Sequence, residues 1–175
     1  MTGLPRCLLA GAFAALVSAS SVAAETPTLL GSFSDWSAFQ TVTTSGRTCY
    51  ALAKPKFSEP KKAKRDPIYF LISDWPLRKT RSEPEVVPGY EYKADGPVTA
   101  TIGSDKFEFF AKNDGDSGSA WIKDPSDEIR LVEAMKHGSF VVVTGVSQRG
   151  TTTHDTFSLS GLSAALEKIH AACGM

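Results

Sequence analysis

The chain is poor in the residues that carry specialised chemistry. Its 175 residues include only three cysteines and three histidines. No CxxC occurs, and three cysteines are too few for a disulfide-framework miniprotein; a zinc ribbon and a thioredoxin-like redox centre are excluded with it. No run approaches the 20 or so apolar residues that a membrane-crossing helix needs. Charge of one sign is missing as well, since 19 Lys+Arg stand against 19 Asp+Glu, which excludes a histone-like polycation and an acidic disordered tail. The 42% hydrophobic content is that of an ordinary folded domain.

What is there begins with a leader. Arg6 gives a positive start, Cys7 to Val17 is an apolar run of 11 residues, and Val22-Ala23-Ala24 puts small residues before Glu25. That order is the pattern of a secretory signal peptide, so residues 1–24 are expected to be cleaved and residues 25–175 to form a single exported domain. Cys7 lies before the apolar run rather than after it and is therefore no lipidation site. Removing Arg6 leaves 18 bases against 19 acids, a net charge of −1. It also leaves two cysteines, Cys49 and Cys173, in an oxidising compartment where a disulfide persists. A bond between them closes nearly the whole domain into one loop, and the chain-entropy model gives about 4.7 kcal/mol for a loop of about 100 residues. The alternative is a pair of buried thiols. A widely spaced pair lacks the vicinal arrangement of a redox catalyst, so the expected role is structural.

The body of the chain reads as short strands. Apolar and polar residues alternate over 33–39 and 49–52, a denser apolar run covers 68–72, and further strands are expected at 98–102, 106–111, 120–122, 140–146 and 153–159. Ser45-Gly46, Asp95-Gly96-Pro97, Gly103-Ser104-Asp105 and Asn113-Asp114-Gly115 punctuate them, the third as a hairpin turn. Two helices interrupt the pattern. Asp124-Pro125 can open one whose apolar positions Ile129, Val132 and Met135 share a side, and Gly138 can end it. The other starts near Gly161 and spaces Leu162, Ala165, Leu166, Ile169 and Cys173 by three or four residues, which places Cys173 on the buried face. An all-β sandwich or barrel with two short helices, one of them C-terminal, follows. The cysteine bond would then staple the last helix to the sheet.

The C-terminal third resembles a known family. Ala120-Trp121, the run 131–139, the run 141–151, the run 155–166 and Cys173 are similar in order to the invasion associated locus B (IalB) family, with looser similarity through the Trp36 strand and Cys49. The resemblance covers residues 119–173 best, and residues 54–65 and 76–90 depart from the family's pattern. It implies an immunoglobulin-like antiparallel β-sandwich, a small exported alphaproteobacterial protein, and an association with entry into host cells. It implies no catalytic residues. Within these blocks Gly138, Gly150 and Gly161 stand where backbone freedom is wanted, and Arg149 and Asp155 flank a turn across which they could pair.

No complete catalytic or metal-binding set emerges. Gly115-Asp116-Ser117-Gly118 looks like the nucleophile motif of chymotrypsin-like proteases, but His137, His154 and His170 all follow the serine, whereas in those proteases the histidine and the acid precede it. The strained G-x-S-x-G elbow of other hydrolases is absent too. Asp114 and Asp116 could lend oxygens to calcium, yet the twelfth position of an EF-hand loop counted from Asp114 is Pro125 rather than glutamate. The histidines are scattered and predict no zinc site. Neither an enzyme nor a cofactor is expected.

One segment is unexplained by folding. Residues 54–65 hold Lys54, Lys56, Lys61, Lys62, Lys64 and Arg65 against a single acid, Glu59, a net of +5 in twelve residues, with two prolines that forbid a helix or a central strand. Such a concentration suits an anionic envelope or host-cell surface component; the alternative is a solvated loop between strands. Nucleic acid is not expected, since the chain is exported and the remainder of the domain is acidic. The sequence therefore predicts a non-enzymatic envelope or secreted interaction module. The alternative is a periplasmic carrier of a small ligand or lipid, which would need an apolar internal pocket.

Overall fold

The computed structural model describes residues 26–175; the leader expected over residues 1–24 lies outside them. Eleven strands run β1 (Thr28–Phe33), β2 (Trp36–Thr43), β3 (Gly46–Ala53), β4 (Phe57–Glu59), β5 (Tyr69–Trp75), β6 (Thr80–Val87), β7 (Val98–Ile102), β8 (Asp105–Asp114), β9 (Ser117–Ile122), β10 (Phe140–Val146) and β11 (Thr152–Ser158). Helix α1 (Ser126–His137) follows β9, and α2 (Leu162–Cys173) ends the chain. All strands join one antiparallel sheet in the order β1-β2-β3-β5-β6-β9-β8-β7-β10-β11-β4. The β-rich fold with two helices, one of them C-terminal, is thus the one expected from sequence.

The two layers are limbs of a single bent sheet. Strands β5 and β11 stand six places apart in the order, yet Phe70 and Phe157 meet edge to face with ring centroids 5.6 Å apart. Trp36 on β2 packs edge-on against Phe70 and donates its indole N–H to the Ser158 carbonyl on the far limb at 2.9 Å. These large rings are completely buried and fill the space between the limbs, with Ile72, Val86, Phe107 and Phe109 around them. Period two explains the register: in β7 and β9, Val98, Ala100, Ile102, Ala120 and Ile122 point inward and their neighbours outward.

Both helices close the core by one face. Leu162, Ala165, Leu166, Ile169 and Cys173 of α2 are all buried, as their spacing requires. In α1 the buried set is Leu131, Val132 and Met135, whereas Ile129, expected inside, is 75% exposed. Leu131 takes the inward place because the contact face is rotated from the one that the spacing suggested. Asp124 caps this helix by accepting from the Ser126 backbone N–H and hydroxyl, both at 2.9 Å. Those bonds hold its carboxyl below the usual range, the backbone one contributing most.

The fold corrects two expectations and adds a strand that none of them covered. The alternating run 33–39 is two strands, broken at Ser34-Asp35, where Ser34 takes φ 51° and the Asp35 N–H donates to the Ser160 carbonyl. Strand β6 was hidden by Pro84; it pairs β9 only at Glu85 and Val86, so the proline stands where β6 has no ladder to break on that side. Gly138 is needed for space rather than for backbone freedom, since a Cβ there would come within 2.7 Å of the Ile102 side chain. Gly161 needs both: its φ is +90° and a Cβ would meet the Phe33 carbonyl oxygen at 1.9 Å.

Candidate functional site

The basic segment leaves β3 at Ala53 and turns onto the far end of the sheet. The Lys56 N–H donates to the Thr156 carbonyl at 2.8 Å, and β4 then pairs antiparallel with β11, Phe57 opposite Thr156 and Glu59 opposite His154. The expected loop therefore contains a three-residue edge strand. Pro55 and Pro60 flank it, which limits its length, because proline cannot donate to a ladder.

The six bases then part company. Lys54, Lys61, Lys62 and Lys64 are exposed. Lys56 is exposed too but lies 2.9 Å from Asp35, whose carboxyl it holds below the usual range. Arg65 turns inward, and this corrects its place among the surface charges. Its guanidinium donates to both carboxylate oxygens of Asp155, Nη1 to Oδ1 at 2.9 Å and Nη2 to Oδ2. Nε and Nη2 also donate to the Pro88 carbonyl at 3.0 and 2.8 Å, and the Tyr90 ring lies 5.0 Å away. The side chains of Arg65 and Asp155 are only 6% and 2% exposed. A rigid guanidinium fork suits such a two-pronged buried pair better than a lysine would. Asp155 is thereby committed to Arg65, and the pairing with Arg149 anticipated from the sequence does not form; Arg149 stays exposed at the β10–β11 turn.

Above this pair lies an open cleft of about 850 Å³ that brings Lys62, Lys64 and Arg149 together with Tyr90, Thr151 and Thr153, and with the carboxylates Asp66, Glu91 and Asp116. The Tyr90 hydroxyl is hydrogen-bonded to Thr153 Oγ1 at 2.7 Å, and burial pushes its pKa up. Arg149 was not among the candidate site residues. It is 84 positions from Arg65 in the chain, and only the pairing of β11 with β4 makes it a neighbour of the lysines.

The enzymatic motif resolves as a turn. Gly115 and Asp116 form the two-residue connection between β8 and β9, with Asp114 opposite Ser117, and the Ser117 hydroxyl donates to the Asp114 carbonyl. A different serine, histidine and aspartate do meet. His170 Nδ1 lies 2.7 Å from Asp74 Oδ2, and Ser82 Oγ lies 3.5 Å from His170 Nε2. The Ser82 backbone N–H, however, donates to Asp74 Oδ1 at 2.9 Å. That amide is engaged by the acid and is not free to stabilise an oxyanion on a substrate attacked by Ser82. The group acts as a tie between α2 and the sheet. Asp74, fully buried, faces Cys49 across the β3–β5 ladder, and Cys49 is bonded to Cys173 with Cα atoms 5.9 Å apart. One hydrogen bond and one covalent link therefore hold successive turns of the same helix. The cysteine pair was legible in the sequence; Asp74, Ser82 and His170, up to 96 positions apart, were not.

A family profile described as invasion associated locus B (IalB) protein matches residues 36–170. Among solved structures, the crystal structure of invasion associated protein B from Bartonella henselae superimposes with a TM-score of 0.57 at 12% identity, covering 83% of this chain and 98% of that one. At that identity the likeness is one of fold. No curated protein matches the chain.

Proposed function

Because the chain belongs to the invasion associated locus B (IalB) family, we propose that it works as an exported, non-enzymatic interaction module whose lysine ridge meets an anionic component of the envelope or of a host-cell surface. The observation that carries this reading is the separation of the bases by the fold. Arg65 is neutralised inside, while Lys54, Lys61, Lys62 and Lys64 stay exposed, and Lys62 and Lys64 share a cleft with Arg149. Export rests on the leader pattern of residues 1–24, with residues 25–175 as the exported domain, and a role in host-cell contact rests on the family. A carrier would need an enclosed apolar chamber, whereas the space between the limbs is filled by Trp36, Phe70 and Phe157.

Replacing Lys61, Lys62 and Lys64 by Ser, with Arg65 retained, tests the reading. Each lysine close to an anionic membrane contributes about 1 kcal/mol, so binding to vesicles rich in anionic lipid should fall by about two orders of magnitude and lose most of its salt dependence. Binding that is unchanged in affinity and salt slope would sink the proposal.

A further inference from the structure

The outer face of the sheet carries an aromatic ridge remote in the strand order from the lysines. Phe110 on β8 and Trp121 on β9 are direct cross-strand partners, with ring centroids 5.8 Å apart and planes tilted by 32°. Their neighbours along the strands, Phe109, Ala120 and Ile122, point into the core, so period two turns Phe110 and Trp121 outward. Phe110 remains 48% exposed. Core packing therefore does not account for this pair.

Two grooves border the ridge. On the Trp121 side, one of about 480 Å³ is lined by Lys112, Asp114, Ser117 and Ser119 with the indole as its apolar wall. On the Phe110 side, one of about 520 Å³ is lined by Lys93, Asp95, Lys106, Glu108 and Lys123. Both signs of charge and two hydroxyls thus stand within side-chain reach of a flat apolar strip two rings long.

We infer that this ridge is a saccharide-binding subsite, with pyranose rings resting on Trp121 and Phe110 and their hydroxyls taken up by the flanking polar side chains. The chemistry selects the ligand. A pyranose has an apolar face of C–H groups, which an aromatic plane matches, and a rim of hydroxyls that both donate and accept, which a lining of lysine, carboxylate and serine matches. An acyl chain would need continuous apolar walls. A stable protein partner would need about 800 Å² on each side with an apolar centre, and the ridge is bounded by charge after two rings. The mixed lining, four bases against three acids with Lys123 and Glu108 paired at 3.1 Å, favours neutral and N-acetylated hexose chains over polyanions.

The purified protein would be applied to immobilised oligosaccharides of three kinds: neutral hexoses, N-acetylhexosamines, and sialylated or uronic-acid chains. Binding to one of the first two kinds is expected. Phe110→Ala and Trp121→Ala should each weaken it by at least about tenfold, the loss usual for an aromatic anchor, and Trp121→Phe should recover part of it. Phe110 stands outside the core, so its variant keeps the test valid should Trp121→Ala misfold; a thermal melt identifies that case. The lysine-to-serine variant should retain saccharide binding, and the aromatic variants should retain vesicle binding, which separates this site from the lysine ridge. No binding to any saccharide, binding unaltered in Phe110→Ala, or binding confined to acidic chains and lost with the lysines would each overturn the inference.

Discussion

At the scale of single residues, neighbours in sequence can differ completely in what their charge does. Lys64 and Arg65 are adjacent, yet one is exposed and the other holds a buried carboxylate. Removing one partner of such a pair leaves the other buried and uncompensated, at a cost of about 3–5 kcal/mol. Arg65→Ser or Asp155→Asn should therefore lower the urea midpoint sharply, while Lys64→Ser should leave it almost unmoved. Glu85 gives a second residue-scale expectation. Burial raises its pKa above the ordinary 4.5, with the neighbouring Glu83 charge adding a smaller push and Ser119 opposing. An acid whose folded pKa is raised weakens the fold once pH climbs past its unfolded value, and has no such effect below it. Glu85→Gln should thus raise the melting temperature at pH 7 and leave it unchanged below about pH 4; the gain will be modest, because the group is partly solvated. None of this was legible beforehand. A run of bases in sequence looks uniform, and the partner that separates Arg65 from the rest lies 90 positions away.

At the scale of elements, periodicity located most strands and both helices, because a face turned to the core imposes its repeat on the sequence whatever its neighbours are. It failed in two ways. Strand β4 has three residues and no buried side chain and exists because β11 offers its edge, whereas β6 does bury Val86 but carries a proline that masks its alternation. The helix α2 shows the opposite case, its buried face and its cysteine having been fixed by spacing alone. Its double tie makes a measurable prediction. Cys49→Ser with Cys173→Ser should cost about 2–5 kcal/mol, read from the denaturation midpoint. Adding His170→Ala should cost more than its effect in the intact protein, since it then removes a second of the links at that end of α2, leaving the bond from Arg47 to the Ala172 carbonyl, and neighbouring interactions are not additive.

At the scale of the whole molecule, the near-zero net charge is an average over unlike regions: +5 lies within residues 54–65, at one end of the strand order, and an aromatic ridge lies elsewhere on the outer face. The two should titrate as independent surfaces, the first sensitive to salt and the second not. The fold class was readable because strand spacing and helix count suffice for it. The single bent sheet was not, since no local pattern tells whether two layers share a strand.

An open sheet of eleven strands leaves two raw edges, and an exposed edge invites another chain to pair with it. One edge here is β1, whose register slips between Leu29 and Gly31, so that a bulge bends it out of flatness. The other is β4, too short to template much and set between Pro55, Pro60 and a crowd of lysines. The prolines and lysines of this segment thus guard the molecule against polymerising with itself, whatever else they meet: a sequence drifting here toward neutral, β-forming residues would lose its safeguard against fibrillar stacking.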